Sequence, residues 1–206
     1  MKDNKKNNDP TSPYQLFNFG PMLCKMKLDD ANLKKYTKFV SKKTSFINET
    51  LAGVIKHEHS VDLQKYGEII NPYLSIFYEG FQRWYGIRPP SKLLLTRAWA
   101  NFMVAAEFNP PHTHPNCDFS SVLFVKIPKE LKEEHKKFKG TGAGPGALSF
   151  FYGGNQNFSI CYMHFFPEEG DFFMFPASLT HFVSPFTSGG ERISLSANFS
   201  FDFKRK

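Results

Sequence analysis

The chain has 206 residues, of which 41% are hydrophobic, a length and composition that suit one domain with a sizeable core and exclude a wholly disordered protein. The net charge is +7, but only five of the 26 basic residues are Arg. An excess made of Lys is more typical of a solvated surface than of a nucleic-acid reader. No apolar run approaches the roughly 20 residues of a membrane-spanning helix, so a membrane protein is not expected.

The first 90 residues are predicted to form a mostly helical support for the rest of the chain. Residues 1–12 are rich in Lys, Asn and Asp and are expected to be a disordered tail rather than a signal peptide, because no apolar stretch follows them. Over residues 13–90, apolar side chains recur at helical spacing. Asn71-Pro72 is expected to interrupt the second helix, and Arg88-Pro89-Pro90 to end it, since Pro lacks the backbone N–H that a helix interior needs.

After Pro90 the pattern changes to short apolar segments separated by Gly, Pro and Asn. Seven of these segments are predicted strands: 91–105, 119–127, 147–152, 158–167, 171–175, 180–186 and 191–203. They predict a mainly β (α+β) fold with a barrel or sandwich core over 91–203, and residues 13–206 are expected to form one domain. The Glu–Lys pairs of residues 129–138 predict a helix on a solvated insertion.

The sequence contains two His-x-His pairs, one of which is a candidate pair of metal ligands. His112 and His114 lie between two predicted strands, and side chains two residues apart on an extended chain point the same way, so both imidazoles can meet one ion. Imidazole suits Fe, Zn, Cu or Ni. The alternative is a polar turn with two incidental histidines. The other pair, His57 and His59, has no supporting feature and is interpreted as a solvated or helical pair.

A further histidine is a candidate third ligand. His181 begins a predicted strand, just after an apolar strand that opens at Gly170 and ends at Pro176. On its own such a histidine is more often a core residue with satisfied hydrogen bonds. Together with His112 and His114 it completes a set of three ligands on rigid strands, which leaves other positions of a catalytic metal open.

Residues 192–201 alternate strictly between a polar and an apolar face. The polar face carries Arg192, Ser194, Ser196, Asn198 and Ser200. Small hydroxyl and amide groups beside a single Arg are typical of a polar cavity lining, whereas a solvent-facing strand would carry Lys, Glu or Thr. Arg192 can bind a carboxylate through two parallel hydrogen bonds, and Ser194 can add another. The alternative is an edge strand with a surface Arg.

This set of residues, His112-x-His114, then His181, then Arg192-x-Ser194, resembles the 2-oxoglutarate (2OG)/Fe(II)-dependent dioxygenases. Those enzymes carry His-x-Asp/Glu and a distal His on a double-stranded β-helix, a jelly-roll fold shared with cupins, with a basic residue further along the chain. The similarity is closest to the 2OG-Fe(II) oxygenases that occur widely in marine bacteriophages. Within roughly residues 95–203, three segments carry it: EFNPPHTH (107–114), SSVLFVKIP (120–128) and ERISLSAN (191–198).

The resemblance implies an oxidoreductase that couples substrate oxidation, expected to be a hydroxylation, to oxidative decarboxylation of 2OG to succinate and carbon dioxide. It implies Fe(II) as the cofactor and 2OG and dioxygen as co-substrates, with the far carboxylate of 2OG bound by Arg192 and Ser194. Asn101, which shares a predicted strand face with Arg97 and Trp99, is expected to bond 2OG or a metal-binding histidine, unless it is a buried structural amide. The primary substrate and the oligomeric state stay open.

One position departs from the family pattern. The usual carboxylate of His-x-Asp/Glu is replaced by His114, which leaves three alternatives. His114 itself is a ligand, or Asp118 reaches the metal instead, or His112 and His181 bind with water in the third place. The expected ligand set is His112, His114 and His181, in which the role of His114 is open.

Two other functions remain compatible with the sequence. A cupin that uses no keto acid would bind a metal through four ligands that include Asp118. A non-catalytic jelly-roll structural or binding module, such as a virion component, would bind no metal. The three cysteines, Cys24, Cys117 and Cys161, suggest no disulfide framework, so a cytoplasmic protein is expected, in the host cytoplasm if the chain is phage-encoded.

Overall fold

The computed structural model describes residues 20–154 and 157–203, which form ten strands and three α-helices. The strands are β1 (Cys24–Lys27), β2 (Glu58–Ser60), β3 (Leu93–Met103), β4 (Asn109–His112), β5 (Phe119–Lys126), β6 (Leu148–Phe151), β7 (Tyr162–Phe165), β8 (Asp171–Pro176), β9 (Thr180–Val183) and β10 (Arg192–Phe201). The helices are α1 (Asp30–Phe39), α2 (Leu63–Tyr85) and α3 (Lys129–Lys137). In these ranges no helix is both long enough and apolar enough to cross a membrane. The expected tail, residues 1–12, lies outside the described residues.

The strands form two antiparallel sheets. The larger sheet has six strands in the order β1-β8-β5-β10-β3-β2, and the smaller has four in the order β4-β9-β6-β7. Each of the seven strands predicted after Pro90 is present, and the histidine segment adds β4. The two sheets share an aromatic core, since the ring centroid of Phe150 in β6 lies 4.9 Å from that of Phe175 and 6.3 Å from that of Phe173, both in β8.

Strand β10 lies inside the larger sheet and separates two environments. Its apolar side chains Leu195, Ala197 and Phe199 are buried in a core shared with α1 and α2. Arg192 and Ser194, on the opposite face, line a cavity between the sheets. The alternation predicted from the sequence of β10 is therefore confirmed, and it decides which side chains can meet a ligand.

Helix α2 covers the outer face of the larger sheet. Its buried residues recur at helical spacing: Tyr66, Ile69, Ile70, Tyr73, Phe77 and Phe81. The expected interruption at Asn71-Pro72 is wrong, because the helix continues unbroken to Tyr85 and ends at Gly86, which has a φ of 73°. Asn71 and Pro72 are exposed, so water can bond the carbonyl of Glu68 that Pro72 leaves unpaired. Burial of the apolar side of the helix outweighs that lost hydrogen bond.

The first 90 residues contribute strands as well as a helical support. Strands β1 and β2 form the two edges of the larger sheet, so that sheet begins well before the predicted core at residue 91. Strand β2 pairs with β3, and the register places Glu58 opposite Asn101. This edge strand brings residues from the N-terminal part of the chain to the cavity.

Candidate metal centre

Three histidines converge where β4 and β9 run side by side. His112 ends β4 and is the register partner of His181 in β9, and His114 follows two residues later. Their candidate ligand nitrogens all lie within 4.8 Å of one another, and Nε2 of His114 is 3.2 Å from Nε2 of His181. Within residues 20–154 and 157–203, no other group of three or more His, Cys, Asp or Glu side chains is close enough to share a metal ion.

Backbone carbonyls fix the orientation of two of these imidazoles. Nδ1 of His112 donates to the carbonyl of Pro110 at 2.7 Å, and Nδ1 of His181 donates to the carbonyl of Leu179 at 2.9 Å. A ring whose Nδ1 carries the hydrogen presents the lone pair of Nε2 to its other side. Both rings therefore have the tautomer and the support that metal-ligating histidines need.

Burial keeps all three imidazoles neutral. It lowers the pKa of His112, and together with the repulsion that a protonated His112 or His114 would exert it lowers the pKa of His181 to about 3. Burial, His112 and the Arg97 guanidinium lower the pKa of His114 to about 4. Neutral imidazole is the form that ligates. Three nitrogen donors without a carboxylate fit a divalent transition metal such as Fe(II), whereas Mg²⁺ and Ca²⁺ prefer oxygen.

One cavity of about 450 Å³ brings the candidate site residues together. The residues singled out in the sequence that line it are Asn101, His112, His114, His181, Arg192 and Ser194. Ser194 and Asn101 are register partners on β10 and β3, so their side chains lie on the same face. Asn101 Nδ2 donates to Ser196 Oγ at 3.1 Å, so its amide contacts the strand that carries Arg192 rather than a histidine.

Arg192 is a buried cation without a counter-ion. It is 1% exposed, its Nη1 donates to the carbonyl of Gly146 at 3.0 Å, and its guanidinium lies 5.2 Å from the ring centroid of Phe124. No carboxylate of the described residues forms an ion pair with it, and its Nε is buried without a hydrogen-bond partner. Burial lowers the pKa of Arg192 to about 10, which leaves it charged at neutral pH. Because an unpaired buried charge is costly, the cavity suits an anionic ligand.

Asp118, the alternative second ligand, lies away from the histidines. Its Oδ2 accepts a hydrogen bond from the backbone N–H of Phe201 at 2.7 Å, and it is not among the residues that line the cavity. The structure thus brings His114, rather than Asp118, to His112 and His181. A four-ligand site of the cupin type that includes Asp118 does not form in this arrangement.

Two residues of β2, Glu58 and His59, lie in positions that the sequence did not predict. The interpretation of His57 and His59 as a solvated or helical pair is wrong for His59, which is buried in β2 with its ring edge-on to Phe102. Glu58, between the two histidines, is buried and lines the cavity. A strand of three residues is too short for an alternating pattern to be distinctive, so the sequence carried no indication of either placement.

Comparison with known proteins identifies both a family and a fold. Residues 97–198 match the family model described as "Putative 2OG-Fe(II) oxygenase". Comparison with curated protein sequences gives no match.

Three solved structures illustrate the fold. An oxidoreductase of the 2OG-Fe(II) oxygenase family from Burkholderia pseudomallei is 16% identical, with 86% of this chain and 84% of that chain covered and a TM-score of 0.53. The viral collagen prolyl hydroxylase vCPH from Paramecium Bursaria Chlorella virus-1, solved as a 2OG complex, is 12% identical, with 86% and 94% covered and a TM-score of 0.54. A prolyl hydroxylase from Trichoplax adhaerens, in complex with a hypoxia inducible factor oxygen degradation domain peptide fragment, is 11% identical, with 87% and 78% covered and a TM-score of 0.56. The likeness confirms the predicted double-stranded β-helix.

Proposed function

The chain belongs to the 2OG-Fe(II) oxygenase family, and from that premise we propose that His112, His114 and His181 bind its Fe(II) while Arg192 and Ser194 bind its 2OG. The protein is an oxidoreductase that uses Fe(II), 2OG and dioxygen. The family match favours this function over a cupin without a keto acid and over a non-catalytic jelly roll. The residue assignment is supported by the single cavity that all five side chains line.

The unpaired guanidinium of Arg192 is the observation that carries the proposal. Since Nη1 already donates to Gly146, the edge formed by Nε and Nη2 remains for a ligand. That edge matches one carboxylate through two parallel hydrogen bonds. The dianion 2OG has a second carboxylate and a keto oxygen with which to reach the metal. Phe124 covers one face of the guanidinium and keeps water from it.

Each cavity residue has a defined part in the proposed site. Bound Fe(II) and 2OG supply the oxidative decarboxylation that couples dioxygen to oxidation of the primary substrate. The three histidines offer neutral Nε2 lone pairs, and the carbonyls of Pro110 and Leu179 keep two of those rings from rotating. Arg192 orients 2OG, and the Asn101 amide, opposite Ser194 in register, adds a hydrogen bond to it. We assign the reaction as a hydroxylation of the primary substrate.

Anaerobic spectroscopy tests this function. Addition of Fe(II) and 2OG to the purified chain is expected to produce the weak visible metal-to-ligand absorption band of such centres. A His181→Ala variant is expected to lose the band because it lacks one ligand, whereas His57→Ala, at an exposed histidine outside the cavity, is expected to keep it. A wild-type protein without the band, or a His181→Ala variant with an unchanged one, contradicts the proposal.

The cellular setting is a separate part of the proposal. The resemblance to oxygenases of marine bacteriophages supports a phage gene product that acts in the host cytoplasm. The scattered cysteine positions are compatible with a reducing compartment. Fractionation of infected cells, with detection of the chain in the cytoplasmic fraction, checks this placement, and its recovery in the virion instead would contradict it.

A further inference from the structure

Glu58 places a carboxyl group in the wall of the cavity. It is the register partner of Asn101, which is in turn the partner of Ser194, so three polar side chains form a row across β2, β3 and β10. All three line the cavity that holds the histidines and Arg192. Glu58 lies outside the residues matched to the family model, which begin at residue 97. The family pattern therefore assigns it no role.

The carboxyl of Glu58 has no hydrogen-bond or ion-pair partner among the described residues. The residue is 1% exposed, and its Oε2 is buried without a hydrogen bond from any residue that the structure describes. The Arg97 guanidinium forms neither an ion pair nor a hydrogen bond with Glu58: its Nη2 donates to Thr50, and the group lies 5.4 Å from the ring centroid of Trp99. Burial and the nearby Glu107 raise the pKa of Glu58 to about 7, which Arg97 offsets only in part. A cation brought into the cavity would hold this carboxyl in its ionised form.

Glu107 shows what a structural carboxylate looks like in this protein. It is also buried, but its Oε1 accepts the backbone N–H of Lys56 at 3.0 Å and its Oε2 accepts that of Val104 at 2.9 Å. Glu58 has no such anchors. The glycine at position 53 nevertheless leaves room for the Glu58 carboxyl. Any larger residue there would place its Cβ only 2.8 Å from Oε1 of Glu58.

A second unpaired acceptor lies beside Glu58. Asn101 Oδ1 is buried without a hydrogen-bond donor among the described residues. 2OG cannot donate a hydrogen bond to either oxygen, because its carboxylates and keto group only accept, so it leaves the ionised Glu58 carboxylate and Asn101 Oδ1 without a donor. A hydroxyl group has a single hydrogen to donate, whereas a primary ammonium group has three and a charge opposite to that of Glu58.

We propose that Glu58 and the Asn101 amide oxygen bind an ammonium group of the primary substrate, which makes that substrate a primary amine. This inference rests on the proposed function, because it assigns the substrate of the same site. The Asn101 amide then contacts both ligands, with its Nδ2 toward 2OG and its Oδ1 toward the amine. Glu58 acts as a specificity-determining residue.

A stability comparison separates this role from a structural one without any ligand. The full chain carrying Glu58→Gln is expected to melt at the same temperature as wild type or higher, because an unpaired carboxyl has been replaced by a neutral group of the same shape. Glu107→Gln is the matched variant and is expected to melt about 2–4 °C lower or more, because one of its two backbone amides loses its acceptor. If Glu58→Gln is destabilised as much as Glu107→Gln, Glu58 is structural and the inference is overturned.

A ligand titration tests the substrate class. The anaerobic complex of the protein with Fe(II) and 2OG is titrated with a panel of primary amines, namely the free L-amino acids, aliphatic diamines and amino sugars, and with their N-acetyl derivatives. At least one amine is expected to change the absorption band, whereas the N-acetyl derivative of that amine is expected to leave the band unchanged. In Glu58→Gln the same change is expected to require roughly 10- to 100-fold more amine. Glu79→Gln, on the exposed side of α2, is the control and should respond as wild type does.

The outcomes distinguish the two proposals. If the absorption band never forms in wild type, the proposed function itself fails. If the band forms but no amine in the panel changes it, or acetylated and free amines act alike, the amine assignment fails alone. An amine response that is the same in Glu58→Gln and in wild type also overturns the role of Glu58.

Discussion

Replacement of Arg192 by Met tests the proposed 2OG site while it keeps most of the side-chain volume. Nη1 already donates to Gly146, so the free Nε and Nη2 can give one carboxylate two charge-assisted hydrogen bonds. At about 1.5–3 kcal/mol each, their loss costs about 3–6 kcal/mol of binding free energy. Since about 1.4 kcal/mol corresponds to a tenfold change, Arg192→Met is expected to bind 2OG roughly 100- to 10,000-fold more weakly.

The assay is a titration of 2OG into the anaerobic Fe(II) protein, followed through the visible absorption band. Arg192→Lys keeps the charge but lacks the planar fork, so its affinity for 2OG is expected to fall between those of wild type and Arg192→Met. Arg83→Met, at an exposed arginine that pairs with Glu79, controls for the loss of a positive charge and is expected to have no effect. An Arg192→Met variant that is folded and binds 2OG as tightly as wild type would refute the reasoning.

Three further predictions concern ligation, pH and folding. The His114→Asp variant is expected to keep Fe(II), because it restores the His-x-Asp pattern, whereas His114→Ala is expected to lose Fe(II). Metal content measures both, and a full complement of iron in His114→Ala would show that His114 is not a ligand. Partial burial raises the pKa of Glu134, but hydrogen bonds from residues 187 and 188 outweigh burial and lower this pKa from 4.5 to about 2. The contribution of Glu134 to stability is therefore complete above pH 4.5 and is lost as the pH falls toward 2. Glu134→Gln should therefore flatten the acid side of the stability profile measured by urea unfolding, and an unchanged slope would argue against this linkage. Pro72→Ala is expected to raise the free energy of unfolding by about 1–3 kcal/mol, because it returns a backbone hydrogen bond to α2. A variant less stable than wild type would be inconsistent with an unbroken helix at this position.

The sequence was most informative where a pattern was long. Strand β10 has ten residues, enough for a period of two to separate its cavity face from its core face, so Arg192 and Ser194 could be placed before the fold was known. The two-residue spacing of His112 and His114 predicted that both imidazoles can meet one ion, and His181 was added to them by residue type and by the family resemblance. The pairing of β4 with β9, which brings His181 to His112, was not predictable from the local sequence.

Other features of the site could not be predicted because they depend on packing or on backbone atoms. The carbonyls of Pro110, Leu179 and Gly146 orient the histidines and Arg192, and any residue type can supply a carbonyl. Pro72 suggested a break in the helix because the local rule omits the burial of the apolar side of α2. Glu58 lies in a three-residue edge strand, where the pairing with β3 and not the local sequence decides its orientation.

A crystal structure of the protein with 2OG and Mn(II), an unreactive substitute for Fe(II), tests the central assignment most directly. We expect Mn(II) on Nε2 of His112, His114 and His181, with one carboxylate of 2OG on the metal and the other on the Nε and Nη2 edge of Arg192. A metal bound elsewhere, or a 2OG molecule whose carboxylates leave Arg192 unpaired, would contradict the account.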